Sequence, residues 1–309
     1  MDWLFLVKWP IEFVLVNFHS LFTLLGMGPN DGFTWVLAVV GLVVVVRAAL
    51  IPLFVKQIIS QRNMMVVQPE LQKLQKKYKG KNDPDSRQAF AKEQMELYKK
   101  YKTNPLSSCL PLLVQMPVFF SLYSVLNSAQ HNEAGVGWLT KALATSFGNS
   151  SVFGAPLKAT FVSSTGIEVK IVAAVMIILM TASQFITQRQ IMAKNQNPAV
   201  MNSQYMQTQK IMLYIFPVMF AISGVAFPLG VMTYWLVSNF WTMGQQFIVI
   251  RNMPTPGSKA HEEREARLAK RGKSSGVLLA SGEPELVEEP KTTQRAQPVS
   301  KARAKKQTK

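Results

Sequence analysis

The chain has 309 residues, of which 48% are hydrophobic, and a mean hydropathy of +0.12. Those values fit either soluble domains or a polytopic membrane protein. Lys and Arg number 34 against 17 Asp and Glu, a net charge of +17, which favours anionic partners such as nucleic acid or phospholipid. The single cysteine, Cys109, excludes an intramolecular disulfide framework and multi-cysteine metal sites. His19, His131 and His261 are too far apart in the chain for metal-ligand spacing, so neither a metal nor a cofactor is expected.

Residues 1–32 are apolar and aromatic but carry Lys8, Pro10, Glu12, Asn17 and His19. Val14, Phe18, Leu21 and Leu25 recur at helical spacing, and no small-residue cleavage site follows a clean apolar core. A helix lying in the outer membrane interface is preferred over a sixth span. The next segments are strongly segregated. Residues 33–55 hold one charge, Arg47, and residues 106–127 hold none. Ile171–Gln188 is uncharged, and so is Ile211–Ile250, which is interrupted by Phe227-Pro228-Leu229-Gly230. About 20 apolar residues are needed to cross a bilayer. The sequence therefore predicts five transmembrane helices, at 33–55, 106–127, 169–189, 211–227 and 229–250, in an all-α polytopic membrane protein.

The charges predict an orientation. Segment 56–105 carries twelve Lys/Arg and five acids, segment 189–210 three bases and no acid, and the tail 251–309 fourteen bases and seven acids. Their excesses of 7, 3 and 7 account for the whole net charge. The loop 128–168 is balanced, with two of each sign. By the positive-inside rule the three basic segments are cytoplasmic, and the N-terminus and 128–168 lie outside. Within 56–105, Val67, Leu71, Leu74 and Tyr78 form one stripe. Gly80 ends that helix and Asp83-Pro84 starts another, which carries Phe90, Leu97 and Tyr101. Two such helices form a cytoplasmic hairpin, read either as a basic paddle near anionic headgroups or as a solvated connection. Residues 190–210 form a cytoplasmic loop. The tail 251–309 is expected to be disordered apart from a short helix near His261–Lys270, and to act electrostatically on RNA or anionic lipid.

Arg47 is the sharpest feature. An arginine well inside a span costs about 2.5–3.5 kcal/mol on insertion scales, and no Asp or Glu lies inside any of the five spans. It must face a water-filled cavity, be held by polar groups, or await an anionic group that enters; the alternative is that it snorkels to the cytoplasmic interface. Polar faces on other spans offer companions: Trp235, Asn239, Thr242 and Gln246, flanked by Tyr234, Ser238 and Gln245, in the fifth; Thr181, Gln184 and Gln188 in the third; Gln115 in the second. These residues are either interhelical glue or the lining of a hydrated pocket. No carboxylate accompanies them, which argues against a proton or cation path. Phosphate-loop, Ser-His-Asp and HExxH signatures are missing, so ATP hydrolysis and proteolysis are not indicated, and the protein is expected not to be an enzyme.

Several spaced motifs occur together: Arg47 with Ile51-Pro52-Leu53, Lys56-Gln57, Ser60, Met64 and Gln68-Pro69-Glu70; Leu97-Tyr98-Lys99, Asn104-Pro105-Leu106, Cys109-Leu110-Pro111 and Gln115-Met116-Pro117; Lys210-Ile211-Met212, Phe216-Pro217 and Phe220; Phe227-Pro228-Leu229-Gly230, Tyr234-Trp235, Ser238-Asn239 and Gln245-Gln246. Over about residues 33–250 this pattern resembles the YidC/Oxa/Alb family of membrane protein insertases. In having no large periplasmic domain and no lipoprotein-type cysteine near the N-terminus, it is similar to Gram-positive, actinobacterial members.

The resemblance implies a five-helix insertase core with a cytoplasmic hairpin and a hydrophilic groove open to cytoplasm and lipid. It assigns the groove to Arg47, Gln115, Tyr234 and Trp235, with either Gln184 or Gln188 from the third span. It implies nascent membrane proteins as substrates in the plasma membrane, and as further partners anionic phospholipid, the Sec translocase and, through 251–309, the ribosome. Two other classes compete: a small-anion channel or secondary transporter with Arg47 as the binding charge, and a passive ribosome or lipid anchor. The first predicts an internal repeat or paired broken helices, and the sequence has neither.

Overall fold

The computed structural model describes residues 4–81, 83–101, 110–195 and 204–272. The predicted disorder after 272, and the stretch containing Asn104-Pro105-Leu106 and Cys109, lie outside the described residues. In chain order the elements are α1 (Phe5–Leu24), α2 (Gly32–Ala49), α3 (Ile51–Lys77), α4 (Pro84–Lys100), α5 (Leu110–Gln130), α6 (Lys141–Asn149), β1 (Ser151–Val152), β2 (Ala155–Pro156), α7 (Ile167–Lys194), α8 (Gln204–Gly224), α9 (Leu229–Asn252) and α10 (Lys259–Ala269). The protein is an all-α polytopic membrane protein. Helices α1, α2 and α7 are each long and apolar enough to cross a bilayer.

The helix starts follow local chemistry. The Asp31 carboxylate accepts from the Phe33 N–H at 3.1 Å to open α2. Asp83 accepts from Ser86 N–H at 2.8 Å, with Pro84 following, to open α4. Ser258 accepts from His261 N–H at 3.3 Å to open α10. Helix α9 starts at Pro228, and its first free N–H groups, on Leu229 and Gly230, donate to the carbonyls of Ala159 and Leu157. The loop between β2 and α7 thereby supplies acceptors the helix itself lacks.

One difference between the helices and the predicted spans lies at residue 50. Helix α2 ends at Ala49, short of the expected 55, and α3 starts at Ile51. Pro52 has no N–H to donate to the preceding turn, and its ring excludes the regular path there. Arg47 is consequently in the last turn of one helix rather than in the middle of another.

Helix α1 packs along α2, and α2 packs on α9. The core between them is built from Leu15, Trp35, Val39, Leu42, Leu122, Leu126, Phe147 and Val231, all almost fully buried. Gly41 is essential to the α1–α2 approach, because a Cβ there would fall 2.5 Å from the Phe18 ring. A second cluster, of Val169, Ala173, Met180, Leu229 and Met232, joins α7 to α9, and α8 lies along α7. The outward faces of α7 and α8 carry exposed Ile171, Val175, Ile178, Ile215, Val218 and Ile222. Such a continuous apolar surface is stable in lipid and not in water.

Helices α3 and α4 pair through Met64, Val67, Leu71 and Tyr98. Polar clamps close both ends of that pairing. Glu93 on α4 accepts from Lys77 Nζ at 2.6 and 2.8 Å and from the Tyr78 hydroxyl at 2.8 Å. At the other end the Tyr101 hydroxyl donates to Glu70, and Lys100 lies 3.8 Å from the same carboxylate. The hydrogen bonds from Lys77 and then Tyr78 hold the Glu93 carboxyl below its ordinary range. A depressed carboxylate contributes above its unfolded value and loses that contribution as pH falls through its folded value. Spin labels on α3 and α4 should therefore show a single interhelix distance at neutral pH that broadens in the acid range. Glu93→Gln should broaden it already at pH 7; an unchanged, narrow distribution in that variant would show that the clamp is inert.

Candidate functional site

The site begins with the helix break. Ending α2 at Ala49 places the Arg47 guanidinium near the partially negative carbonyl end of its own helix, a favourable position for a cation. Its other neighbour is the ring of Phe54, on the first turn of α3, 5.6 Å from the guanidinium carbon. Arg47 is half-buried. Among the described residues no acidic side chain pairs with it.

Helix α9 packs on α2. Tyr234, on the second turn of α9, is 3% exposed. Its hydroxyl accepts from Gln115 Nε2 of α5 at 2.9 Å. Gln115 and Tyr234, 119 residues apart in the chain, thus join α5 to α9, and Arg47 lies on α2, which packs on α9. This group offers a guanidinium fork, an amide oxygen and a phenol, and no carboxylate. It can bind an anionic or hydrogen-bonding group but cannot act as a general base at neutral pH.

Trp235 occupies a different setting. Its ring stacks on Phe119 at 5.1 Å with an interplanar angle of 7°, and meets Phe220 and Phe227 edge-on at 5.5 and 5.0 Å. It is the centre of an aromatic cluster joining α5, α8 and α9, and its contribution beside the polar group is apolar and rigid. Gln184 and Gln188 are half-buried on α7, which packs against α8 and α9. On the same helix pair, Asn239 Nδ2 of α9 reaches the Met180 carbonyl of α7 at 3.5 Å.

Several buried polar atoms have no hydrogen-bond partner among the described residues: both amide atoms of Gln57, and the hydroxyls of Ser121, Thr181 and Ser238. Groups of this kind are costly in a dry apolar setting and are normally satisfied by water or by a ligand. Sequence reading had placed Thr181 and Ser238 on polar faces. It missed Phe54 beneath Arg47, although the i, i+7 spacing between them carried that signal.

A second buried polar feature was also missed. Glu12 of α1 is 0% exposed. Its carboxylate accepts from the backbone N–H groups of Val136, Gly137 and Leu139 at 2.7, 2.9 and 3.2 Å. A Cβ at Gly135 would lie 2.1 Å from Glu12 Oε1, so glycine is required there. The carboxylate ties the N-terminal helix to the loop that follows α5.

A family model described as 60Kd inner membrane protein matches residues 27–256. A Streptomyces avermitilis protein named Membrane protein insertase YidC is 47% identical over 283 residues, which cover 89% of this chain and 64% of that one. The chain therefore spans about two thirds of that relative's length. A protein of the same name from Tropheryma whipplei is 42% identical over 310 residues, covering 97% of this chain and 95% of its own. Another, from Bifidobacterium longum, is 37% identical over 314 residues, covering 97% and 93%.

Proposed function

Since the chain belongs to the 60Kd inner membrane protein family, we propose that it is a membrane protein insertase that passes polar segments of nascent membrane proteins through an intramembrane groove without ATP or covalent chemistry. The observation that carries this reading is the Gln115–Tyr234 hydrogen bond between α5 and α9, with α9 packed on α2 and its half-buried Arg47, a cation that pairs with no acidic side chain among the described residues. An unpaired peptide group in hydrocarbon costs several kcal/mol. A guanidinium, an amide and a phenol held in place replace part of the water such a segment must shed. The orphaned amide of Gln57 and hydroxyls of Ser121, Thr181 and Ser238 extend the same supply of hydrogen bonds. Once the polar segment has passed, the apolar segment partitions into lipid, which is downhill.

In this reading α2, α5, α7, α8 and α9 span the plasma membrane. The α3–α4 hairpin and the end of α9 face the cytoplasm, and α6 with the β-hairpin lies outside. Helix α1 lies in the outer interface: Glu12 ties it to the outer loop, while Phe5, Leu6, Trp9 and Phe13 remain exposed to the bilayer. Gln184 and Gln188 line the far wall of the groove, and Trp235 with Phe119 stiffens the wall between them. Anionic phospholipid, the ribosome through 251–309, and the Sec translocase are the partners this arrangement suits.

Photo-crosslinkers at positions 47 and 115 should capture the polar segment of a stalled nascent single-span protein, and crosslinkers at Ile178 and Ile222 should capture its apolar segment. Capture of the apolar segment at 47 and 115, or of nothing at all there, would refute the groove.

A further inference from the structure

The cytoplasmic end of α9 carries a cationic cleft that the insertion reaction does not use. Arg251 and Asn252 of α9 and Arg264, Arg267, Leu268 and Arg271 of the α10 region line a space of about 290 Å³. Arg264, Arg267 and Leu268 recur at i, i+3 and i+4 on one face of α10, and Arg271 follows in the turn after it. The cleft is built rather than incidental. Ser258 caps α10, Arg267 donates to the Arg251 carbonyl at 2.8 Å, and Lys194 of α7 holds Glu263 at 3.6 Å. Thr255 N–H donates to the buried Asn195 side chain at 2.7 Å, which fastens the connection between the two helices.

Of the three acids of α10, Glu263 is turned to Lys194 and Glu265 to His261 at 3.1 Å, while Glu262 is exposed in the first turn and is not part of the lining. Among the described residues, none of the four arginines is in an ion pair. Four converging guanidiniums without counter-charge are a site for a polyvalent oxyanion, and phosphate is the one their fork geometry fits in bidentate fashion.

Position selects the source of that phosphate. Arg251 follows Phe247 and Ile248, which are 57% and 59% exposed on the lipid-facing side of α9, so the cleft falls where a span leaves the hydrocarbon. Its lining has one apolar side chain, Leu268, and no aromatic on which a nucleic-acid base could stack. We propose that this cleft binds the headgroup of an anionic phospholipid from the cytoplasmic leaflet, seating α10 on the membrane surface. The assignment rests on the cytoplasmic orientation of α10 in the insertase reading.

The test titrates the purified full-length protein with short-chain phosphatidylglycerol, short-chain phosphatidylcholine, inorganic phosphate and oligouridylate, read by native mass spectrometry. Phosphatidylglycerol should be retained in preference to phosphatidylcholine. Arg264→Gln/Arg271→Gln, which leaves the Arg267 cap intact, should weaken that retention at least about tenfold. Lys73→Gln/Lys76→Gln on the hairpin removes the same charge and should leave it unchanged. Equal weakening by both pairs would reduce the site to bulk charge and overturn the proposal. Binding of inorganic phosphate as tight as that of the lipid, or of oligouridylate in place of lipid, would overturn it as well. The titration needs no insertion activity, so its failure leaves the insertase reading standing, and a failed groove leaves this measurement interpretable.

Discussion

Insertion of a single-span substrate with an acidic outer segment should fall about tenfold or more when Arg47 is replaced by alanine, because the lost charge-assisted hydrogen bonds are worth about 1.5–3 kcal/mol. Arg47 has no carboxylate to neutralise it among the described residues, so its charge is available to whatever enters. Arg47→Lys keeps the charge and loses the planar fork, and should fall between the two. A substrate whose outer segment is neutral should lose less than an acidic one. Gln115→Ala frees the Tyr234 hydroxyl and should produce a smaller defect of the same substrate dependence. Insertion assays in vesicles with paired acidic and neutral substrates decide it. Wild-type insertion of the acidic substrate by Arg47→Ala would remove the guanidinium from the mechanism.

The largest effect on stability is expected at Glu12. Removing its carboxylate in Glu12→Ala leaves the N–H groups of Val136, Gly137 and Leu139 without their acceptor. An unsatisfied buried donor costs about 1–3 kcal/mol; of the three donors only the Leu139 N–H is in a buried contact, so a loss of about 1–3 kcal/mol is expected. Glu12→Gln keeps one acceptor oxygen but turns an amide N–H₂ toward backbone donors, and should lie between wild type and Glu12→Ala. Thermal unfolding of the detergent-purified protein measures the loss. Protease sensitivity within residues 131–140 measures release of the loop. A Glu12→Ala protein as stable as wild type would mean that water replaces the carboxylate without penalty.

Much of the molecule was legible from residue type alone. Long uncharged segments marked an all-α membrane protein, and the lone charge among them marked Arg47. Gln115 and Tyr234 stood out because polar side chains are rare in spans, and a hydrogen bond joins them between α5 and α9. The stripe of Val67 and Leu71 was visible as periodicity, and those side chains face α4. The helix break at Leu50 was legible in principle, since Pro52 is the physical cause, but hydropathy runs smoothly across it and hides it. The segment 128–168 read as a charge-balanced loop. It holds α6 and a short β-hairpin, and its carbonyls satisfy the start of α9. Nothing local announces acceptors that serve a helix some seventy residues away.

Glu12 and Trp235 show where sequence reading stops. Glu12 was visible only as an acid in an apolar helix, and its role depends on three N–H groups more than 120 residues distant. Trp235 was grouped with polar neighbours by helical spacing, yet its ring is enclosed by Phe119 and Phe220 from two other helices and by Phe227 from the turn before its own. Hydrophobic length, charge distribution and motif order are properties of the chain taken segment by segment, and they determined the class of the protein and its family. Which polar atoms meet depends on the rotation and depth at which helices pack, and side-chain contacts made across the whole chain set these. That packing alone joined Gln115 to Tyr234, left the α9–α10 arginines without an ion pair among the described residues, and set Glu12 against the loop it holds.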